Sequence, residues 1–486
     1  MKRQIIICLV VLMGIFKSVN AQNENDAIRY SLYNYEGTAQ FQGMSGAMST
    51  LDGDLSSVSL NPATLGFLKY TQFSFAPAFS FSSITNNYLD QSYVQDKTAF
   101  NFRNAGMAFK STPISYDWNS SAFAIGYNRL GNFNGLSFLR GTVSNSLLDT
   151  YINDINSSGG MPSSELSKYY PFTAHLAYET YLINPDTSNP NFYTHVMQPY
   201  PSMTHQLSSL TTGGMGELYL AYAGNYSDQL SIGAGIYFPM VNYYQRTVYD
   251  EINDSKDSTT SINDWNMRYK LSTDGMGFNF KVGMIYKPVN WLRFGLSFHS
   301  PTFFSLTDNW DVLMKSSFDT ASYEWQSPYG RFDYKLRTPF RIITGLSLSD
   351  ENLGRISIDY EYVDYSRAFL SPDNNGLYSF STENNRIQSR FGESHTIRAG
   401  VEANLSQFRF RAGYMLGTSV DRSVNYLNRF GYSAGFGIVF NDVSALDFAY
   451  NFQKINSLES IDPMYNSATQ SIHYNSFIVS WKWFIY

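Results

Sequence analysis

Along much of the chain, apolar and polar side chains alternate with a period of two. Between Gln72 and Phe81 the odd positions Phe73, Phe75, Phe79 and Phe81 are aromatic, whereas Ser74, Ala76, Ala78 and Ser80 are small. From Arg293 to His299, the polar or small Arg293, Gly295, Ser297 and His299 alternate with Phe294, Leu296 and Phe298. Similar alternation runs over Phe278 to Tyr286, Ile356 to Tyr362, Ile397 to Leu405, Phe408 to Leu416, Tyr432 to Phe440 and Leu446 to Phe452. This period predicts strands with one face suited to lipid and the other to a crowded aqueous interior.

The connections are sorted by length. Asn225 to Gln229, Lys287 to Asn290, Asp350 to Leu353, Asn404 to Gln407 and Asn441 to Ser444 are tight. Between them lie long polar stretches near Asn153 to Ser209, Asp250 to Asp264, Pro372 to Ser394 and Asn456 to Ser471. Short turns at one end and long loops at the other are the habit of outer-membrane barrels, the short ones periplasmic and the long ones extracellular. A soluble β-sandwich has no reason to sort its loops this way. The fold class expected is all-β, a transmembrane antiparallel barrel of about fourteen strands. An even count returns both termini to the periplasmic side.

Composition agrees. Tyr and Phe number 38 and 37, charged residues make up 15%, and mean hydropathy is −0.27. Helical membrane proteins carry long apolar runs and a positive hydropathy, whereas barrels average near neutral and concentrate aromatics in interfacial girdles. A net charge of −6 gives no basic surface for nucleic acid. At the N-terminus, Lys2 and Arg3 precede the apolar run Ile5 to Phe16, followed by Ser18-Val19-Asn20-Ala21. That is the pattern of a signal peptide cut after Ala21, with a run too short to span a bilayer. Cys8 lies inside it, so residues 22 onward have no thiol for a lipid anchor, disulfide or metal. The chain ends in Ser480-Trp481-Lys482-Trp483-Phe484-Ile485-Tyr486, a terminal aromatic strand in which Lys482 breaks the alternation and leaves the lipid face unassigned.

One long stretch resists a strand reading. Gly43 to Phe67, GMSGAMSTLDGDLSSVSLNPATLGF, is rich in Gly, Ser and Ala, carries Asp52 and Asp54, and ends in Asn61-Pro62-Ala63. Small residues suit threading through a lumen, and Asn-Pro makes a defined turn. The segment is expected to plug the barrel and gate it through Asn61, Pro62 and Ala63; the alternative is a turn that merely joins it to the first strand. The expected division is residues 1–21 signal peptide, 22–69 hatch, and 70–486 barrel, with a long extracellular insertion at about 141–213.

These residues resemble the FadL/TodX family of outer-membrane transporters for long-chain fatty acids and aromatic hydrocarbons. Beside the hatch with its Asn61-Pro62-Ala63, similar pieces are Lys287-Pro288 through Leu292 to Ser297 and Ser300-Pro301, Thr338-Pro339-Phe340-Arg341 running to Asp359-Tyr360 and Asp364-Tyr365-Ser366, His395 to Glu402, and Arg409 to Tyr414. The resemblance implies a 14-stranded barrel with a hatch, hydrophobic substrate caught among the extracellular loops, and sideways release through the wall. The insertion departs from it, being polar with no sustained apolar helix.

Within that frame, Gly126, Gly131 and Gly135 in GYNRLGNFNGLSF mark a bend and a candidate lateral exit, the alternative being glycines that simply pack against a neighbour. Arg293, Arg398, Arg409 and Arg411, by strand parity, point into the lumen with Asp359, Glu361, Glu402 and Asp447. They are candidates to hold a substrate carboxylate, the alternative being ion-paired ladders that fill the barrel. The histidines His175, His195, His205, His299, His395 and His473 fit no catalytic motif; His299 with Ser297 and Ser300 is the nearest approach. No catalytic residue, metal site or cofactor is expected. Partners are the outer-membrane bilayer and a hydrophobic small molecule. A second reading makes the barrel a surface docking partner for secreted proteins, to which a polar insertion would be suited.

Overall fold

The computed structural model describes residues 23–485 except 114–116, 198–201, 255–260, 374–377, 424–426, 441–442 and 461–466. The signal peptide expected over 1–21, with Cys8, and part of the turn at Asn441 lie outside the described residues. Among the described residues, fourteen antiparallel staves form one closed sheet. They are β1 (Thr71–Tyr88), β2 (Gln91–Ser111), β3 (Trp118–Asn132 and Gly135–Val143), β4 (Met203–Tyr226), β5 (Leu230–Asn253), β6 (Ile262–Val289), β7 (Leu292–His299 and Phe303–Phe318), β8 (Ser322–Gln326, Gly330–Arg337 and Arg341–Asp350), β9 (Gly354–Asp364 and Phe369–Pro372), β10 (Glu393–Leu405), β11 (Phe408–Thr418), β12 (Leu427–Phe440), β13 (Ser444–Ser460) and β14 (Ser467–Ile485). Pairing of β1 with β14, from Thr71↔Ile485 to Asn87↔Thr469, closes the barrel. Closure leaves no row of unpaired backbone groups facing hydrocarbon, where each would be costly.

The lipid band reads clearly on β6, where Met276, Phe278, Phe280, Val282, Met284 and Tyr286 are exposed while Asn279, Lys281 and Ile285 face the lumen and are buried. Eleven residues at about 3.3 Å each, tilted by about 45°, span roughly 25 Å, the height of an outer-membrane apolar belt. Residues 262–275 of β6 continue beyond that band, as do the upper parts of β4, β5 and β7. One side of the barrel therefore stands as a tall wall at the long-loop end.

The insertion fills the inside of that wall. It spans 144–202, because β4 begins at Met203 and not after Gly213. Above the lipid band neither strand face needs to be apolar, so Thr204 to Thr212 give no alternation to read. The expectation that it holds no sustained apolar helix is also corrected. Leu147–Ser157 is a helix whose Leu148, Tyr151, Ile152 and Ile155 are buried, the i, i+3, i+4, i+7 stripe of an amphipathic helix. With Ser163–Tyr169, Ala174–Glu179 and a hairpin of Ile183–Pro185 and Tyr193–His195, it buries an apolar core against Met203, Tyr249, Trp265, Val312 and Met314. His195, deep in this cap, lies 3.0 Å from Asp149; burial lowers its pKa although Asp149 opposes the shift.

Glu251 pins the cap to the wall. Its carboxylate, fully buried, accepts hydrogen bonds from Ser146 Oγ (2.6 Å), Leu147 N (2.6 Å), Tyr249 Oη (2.8 Å) and Trp265 Nε1 (2.8 Å). Glu251→Ala strands these donors without an acceptor, at a cost of about 3–5 kcal/mol to the docked cap. The expected result is new protease cleavage within 147–195 on whole cells, with Glu251→Gln intermediate and the barrel itself uncut.

Candidate functional site

The hatch lies inside the barrel and is almost wholly buried. Its first helix, Glu24–Arg29, sits near the long-loop end, where Glu24 pairs with Arg386 (3.9 Å) and Arg390 (3.7 Å) of the loop helix Ser381–Arg390. From there the chain descends to a short helix, Ala39–Gly43, capped by Thr38, and to a 3-10 segment, Pro62–Phe67, before entering β1. Asn61 caps that segment by accepting from Ala63 N at 3.0 Å, with Pro62 at the first position where its missing N–H costs nothing.

Asn61-Pro62-Ala63 does more than join the hatch to β1, because it is seated on the wall. A Cβ on Gly283 would lie 1.9 Å from Asn61 Oδ1, and one on Gly233 would lie 2.6 Å from Ala63 N. These two glycines are paired across β5 and β6. The pairs Gly295↔Gly345 and Gly400↔Gly413 continue the close approach on β7–β8 and β10–β11, against Thr50 and Met44. Between glycines, wall side chains grip the hatch backbone. Ser231 Oγ donates to Ala63 O (2.6 Å), His299 Nε2 to Leu60 O (2.8 Å) and Lys281 Nζ to Ser59 O (3.0 Å). Ser49 N and Oγ donate to Asp359 at 2.8 and 2.6 Å.

Charge completes the seat. Lys482 falls on the lumen face and bonds Gln40 and Asp54, so its place in the final strand follows the alternation after all, with Trp481 outward. Burial raises the Asp54 pKa, but Lys482 outweighs it and holds the carboxyl below its ordinary value. Of the four arginines singled out, Arg293 pairs with hatch Asp52 at 2.9 Å, Arg398 with Glu361, and Arg411 with both Glu402 and Asp447. Arg409, on the same face at the short-turn end, donates to its own turn at Ser406 O and Phe408 O. The geometry supports ion-paired filling for Arg293, Arg398 and Arg411, each of which already faces an acid of the hatch or wall.

The open space lies elsewhere. A cavity of about 470 Å³ is bounded on one side by Ile28, Leu32, Tyr33, Phe133, Tyr243 and Phe391, and on the other by Ser80, Arg103, Arg429, Asn451 and Gln453. Gly131 and Gly135 line it. Beside it the wall is irregular. The β2–β3 pairing ends at Asn104↔Asn128, and the β3–β4 register shifts between Arg129 and Gly131. Gly131 thus sits at a strand irregularity. Gly126 is different: a Cβ there would meet Tyr219 Oη at 2.6 Å and Ala105 O at 2.8 Å, which is packing. Gly135 likewise rests against Ile84 and Thr211. A second hollow of about 420 Å³, lined by Ala99, Phe100, Arg129, Asn134, Gly214 and Met240, opens where the strands part.

His299, Ser297 and Ser300 form no nucleophile–base contact, since Ser297 Oγ donates to Val282 O and Ser300 Oγ to Pro301 O. Among the described residues, no three of His, Cys, Asp and Glu are grouped to hold a metal. Reading the sequence missed Glu217, Lys281, Glu36, Arg103 and Arg129. Lumen parity would have found the first two, but nothing local marks the others.

The chain matches the model of the family described as outer membrane protein transport protein (OMPP1/FadL/TodX) over residues 192–473. Among solved structures it is similar to the Pseudomonas putida toluene transporter TodX, at 12% identity and a TM-score of 0.51, covering 93% of this chain and 99% of that one. It is also similar to a Pseudomonas aeruginosa FadL homologue, at 12% identity and a TM-score of 0.53, over 93% and 99%. No curated protein sequence matches. At such identities the structural likeness speaks for the fold alone.

Proposed function

Because the chain belongs to the OMPP1/FadL/TodX family of outer-membrane transport proteins, we propose that it is a passive channel for hydrophobic small molecules, such as long-chain fatty acids or aromatic hydrocarbons, gated by its hatch. The observation that carries this reading is a cavity with an apolar flank, beside a break in the wall between β2 and β3. Below it, the seated hatch blocks the way to the short-turn end. In this reading the long loops and the cap face outward. The short turns and the end of β14 face the periplasm, while the first described residues lie in the upper lumen. Cargo enters the cavity from above and leaves through the hollow between β2 and β3.

Gly131 is where this is most cleanly tested. Its Cβ would have only Met215 and Phe133 within 4 Å, both at 3.9 Å, and the residue lines the cavity, so a side chain can leave the backbone there without a close contact. Gly131→Trp is expected to fold normally and to reduce uptake of a labelled fatty acid and of toluene to that of cells lacking the protein. Unchanged uptake of both sinks the lateral route. Surface docking of secreted proteins, the second reading, gains no support from the comparisons.

A further inference from the structure

The outer face of the tall wall carries charges that the fold does not use. Strand parity, continued up β6 from Met276 with no shift in the β5–β6 register, turns Lys270 and Arg268 outward, while Trp265, Leu271 and Thr273 face inward and are buried. On β5 the same parity turns Arg246 outward, directly opposite Lys270, with Val248 opposite Arg268. Like charges directly across an antiparallel pair are destabilising. Among the described residues, no acid lies within ion-pairing distance of these three cations, and Arg268 Nε is buried without a hydrogen-bond partner. Acids on the same face are engaged or set apart. Asp311, opposite Lys270 on β7, accepts from Gln326 at 3.3 Å, and Asp274 accepts from Asn242 at 2.7 Å, while Asp250 and Asp264 lie farther up the wall. Cations on the outer face of β7 and β8 do meet acids: Lys315 pairs with Glu324, Arg331 with Asp333 at 3.3 Å and Lys335 with Asp373 at 2.8 Å.

We propose that Arg246, Arg268 and Lys270 form a binding site for the phosphorylated saccharide headgroup of a glycolipid in the outer leaflet. The inference uses the orientation given above, long-loop end outward, and is independent of what the barrel carries. Height selects the occupant. Lys270 and Arg268 lie six and eight residues above Met276, the last apolar residue of the lipid-facing row. At the rise and tilt used above, that places them about 14 and 19 Å beyond it. The headgroup region of a phospholipid leaflet is about 5–8 Å deep, so its phosphate falls short. Phosphates borne on successive sugar rings reach that height. The two guanidinium groups suit phosphate oxygens bidentately, and Lys270 adds a point charge. Beneath the patch Met276, Phe278 and Phe280 of β6 and Ile236 of β5 are exposed, so the acyl chains of the same molecule lie along the wall. A bound phosphate screens Arg246 from Lys270 and ties the upper wall to the membrane.

The test titrates the purified full barrel, in nonionic detergent, with rough lipopolysaccharide and with the same lipid stripped of phosphate, counting bound molecules by native mass spectrometry. One phosphorylated molecule per barrel is expected. Replacing Arg246, Arg268 and Lys270 together by Gln is expected to weaken it by about tenfold or more, the sum of three partly exposed ionic contacts. That brings it to the affinity of the native barrel for the stripped lipid. Lys315→Gln, at a cation already facing Glu324, should leave affinity unchanged. Because the triple variant removes repulsion, its urea midpoint without lipopolysaccharide is expected to be no lower than that of the native barrel; a fall would show the three cations already paired and overturn the premise. Equal binding by native and triple variant, or an equal loss in Lys315→Gln, overturns the site. Phosphatidylglycerol bound as tightly as lipopolysaccharide overturns the saccharide assignment. Tyr329→Cys, at a residue 78% exposed at the long-loop end, should react with a membrane-impermeant maleimide on whole cells, and no reaction overturns the outer-leaflet source. None of these readouts involves uptake, so the transport reading stands or falls separately.

Discussion

Deleting residues 27–67 is expected to turn the barrel into a leaky pore. The hatch is the contents of the lower lumen. Its backbone lies against the paired glycines Gly233 and Gly283, Gly295 and Gly345, and Gly400 and Gly413. No wall side chain at those positions reaches inward to replace it. Eight strands make an interior that side chains can fill, whereas 16 to 18 leave a water-filled channel, and fourteen lie close to the latter. Once emptied, the lumen would be lined by Lys281, Glu217, Arg411, Glu402 and Asp359, all of which hydrate readily. Liposome swelling in a small sugar should rise by an order of magnitude or more over the intact protein. Swelling and lipophile uptake both unchanged would remove the hatch from any gating role. Gly283→Leu tests the same point without deletion, since its side chain would occupy the place of Asn61. It should leak in the same direction.

Lys281→Met is expected to be the most destabilising single change. Lys281 and Glu217 are both fully buried and meet at 2.7 and 2.9 Å. The ammonium also lies 3.9 Å from the Tyr237 ring centroid and donates to Ser59 O of the hatch. Taking away the lysine leaves a carboxylate buried with no counter-charge, a loss of about 3–5 kcal/mol. Removing both members, in Lys281→Met with Glu217→Leu, should recover most of that, because a buried pair often contributes little net stability over apolar packing. The measurement is the urea midpoint of the barrel in lipid for the two single variants and the double. If the double variant is as unstable as the sum of the singles, the two charges are not coupled and the pair does not seat the hatch.

Much of this was legible in advance, and the limits fall at particular residues. The lipid-facing rows on β1, β6, β7 and β9 to β13 were read directly from alternation. The tight turns after Asn225, Asp350 and Asn404 fell where β4, β8 and β10 end. The hatch was found because it lacked alternation. Parity placed Arg293, Arg398 and Arg411 on the lumen face, though not their partners, which for Arg293 is an acid of the hatch. A register shift falls at Gly131, while Gly126, five residues away, packs on Tyr219. The cap was misjudged because its helix Leu147–Ser157 carries a four-residue apolar stripe in a polar context. Lys482 looked like a break in the pattern until Asp54 was seen beneath it.

By itself the sequence determined which side of β1, β6, β7 and β9 to β13 meets lipid, that there are about fourteen strands, and that one segment does not join them. The bilayer imposes those features locally, since every outward residue within about 25 Å must be apolar and every backbone group paired. The tertiary structure alone decided what happens inside. Asn61 on Gly283, Lys482 on Asp54, and Glu36 between Arg103 and Arg129 join residues far apart in the chain. A lumen accepts almost any polar residue as long as it finds a partner, so no period or spacing announces which partner that is. The parting of β2 from β3, and the hatch segment whose Asn34 and Glu36 N–H groups bond β3 there, belong to the same class. They arise from which backbone groups remain unpaired once the wall has closed.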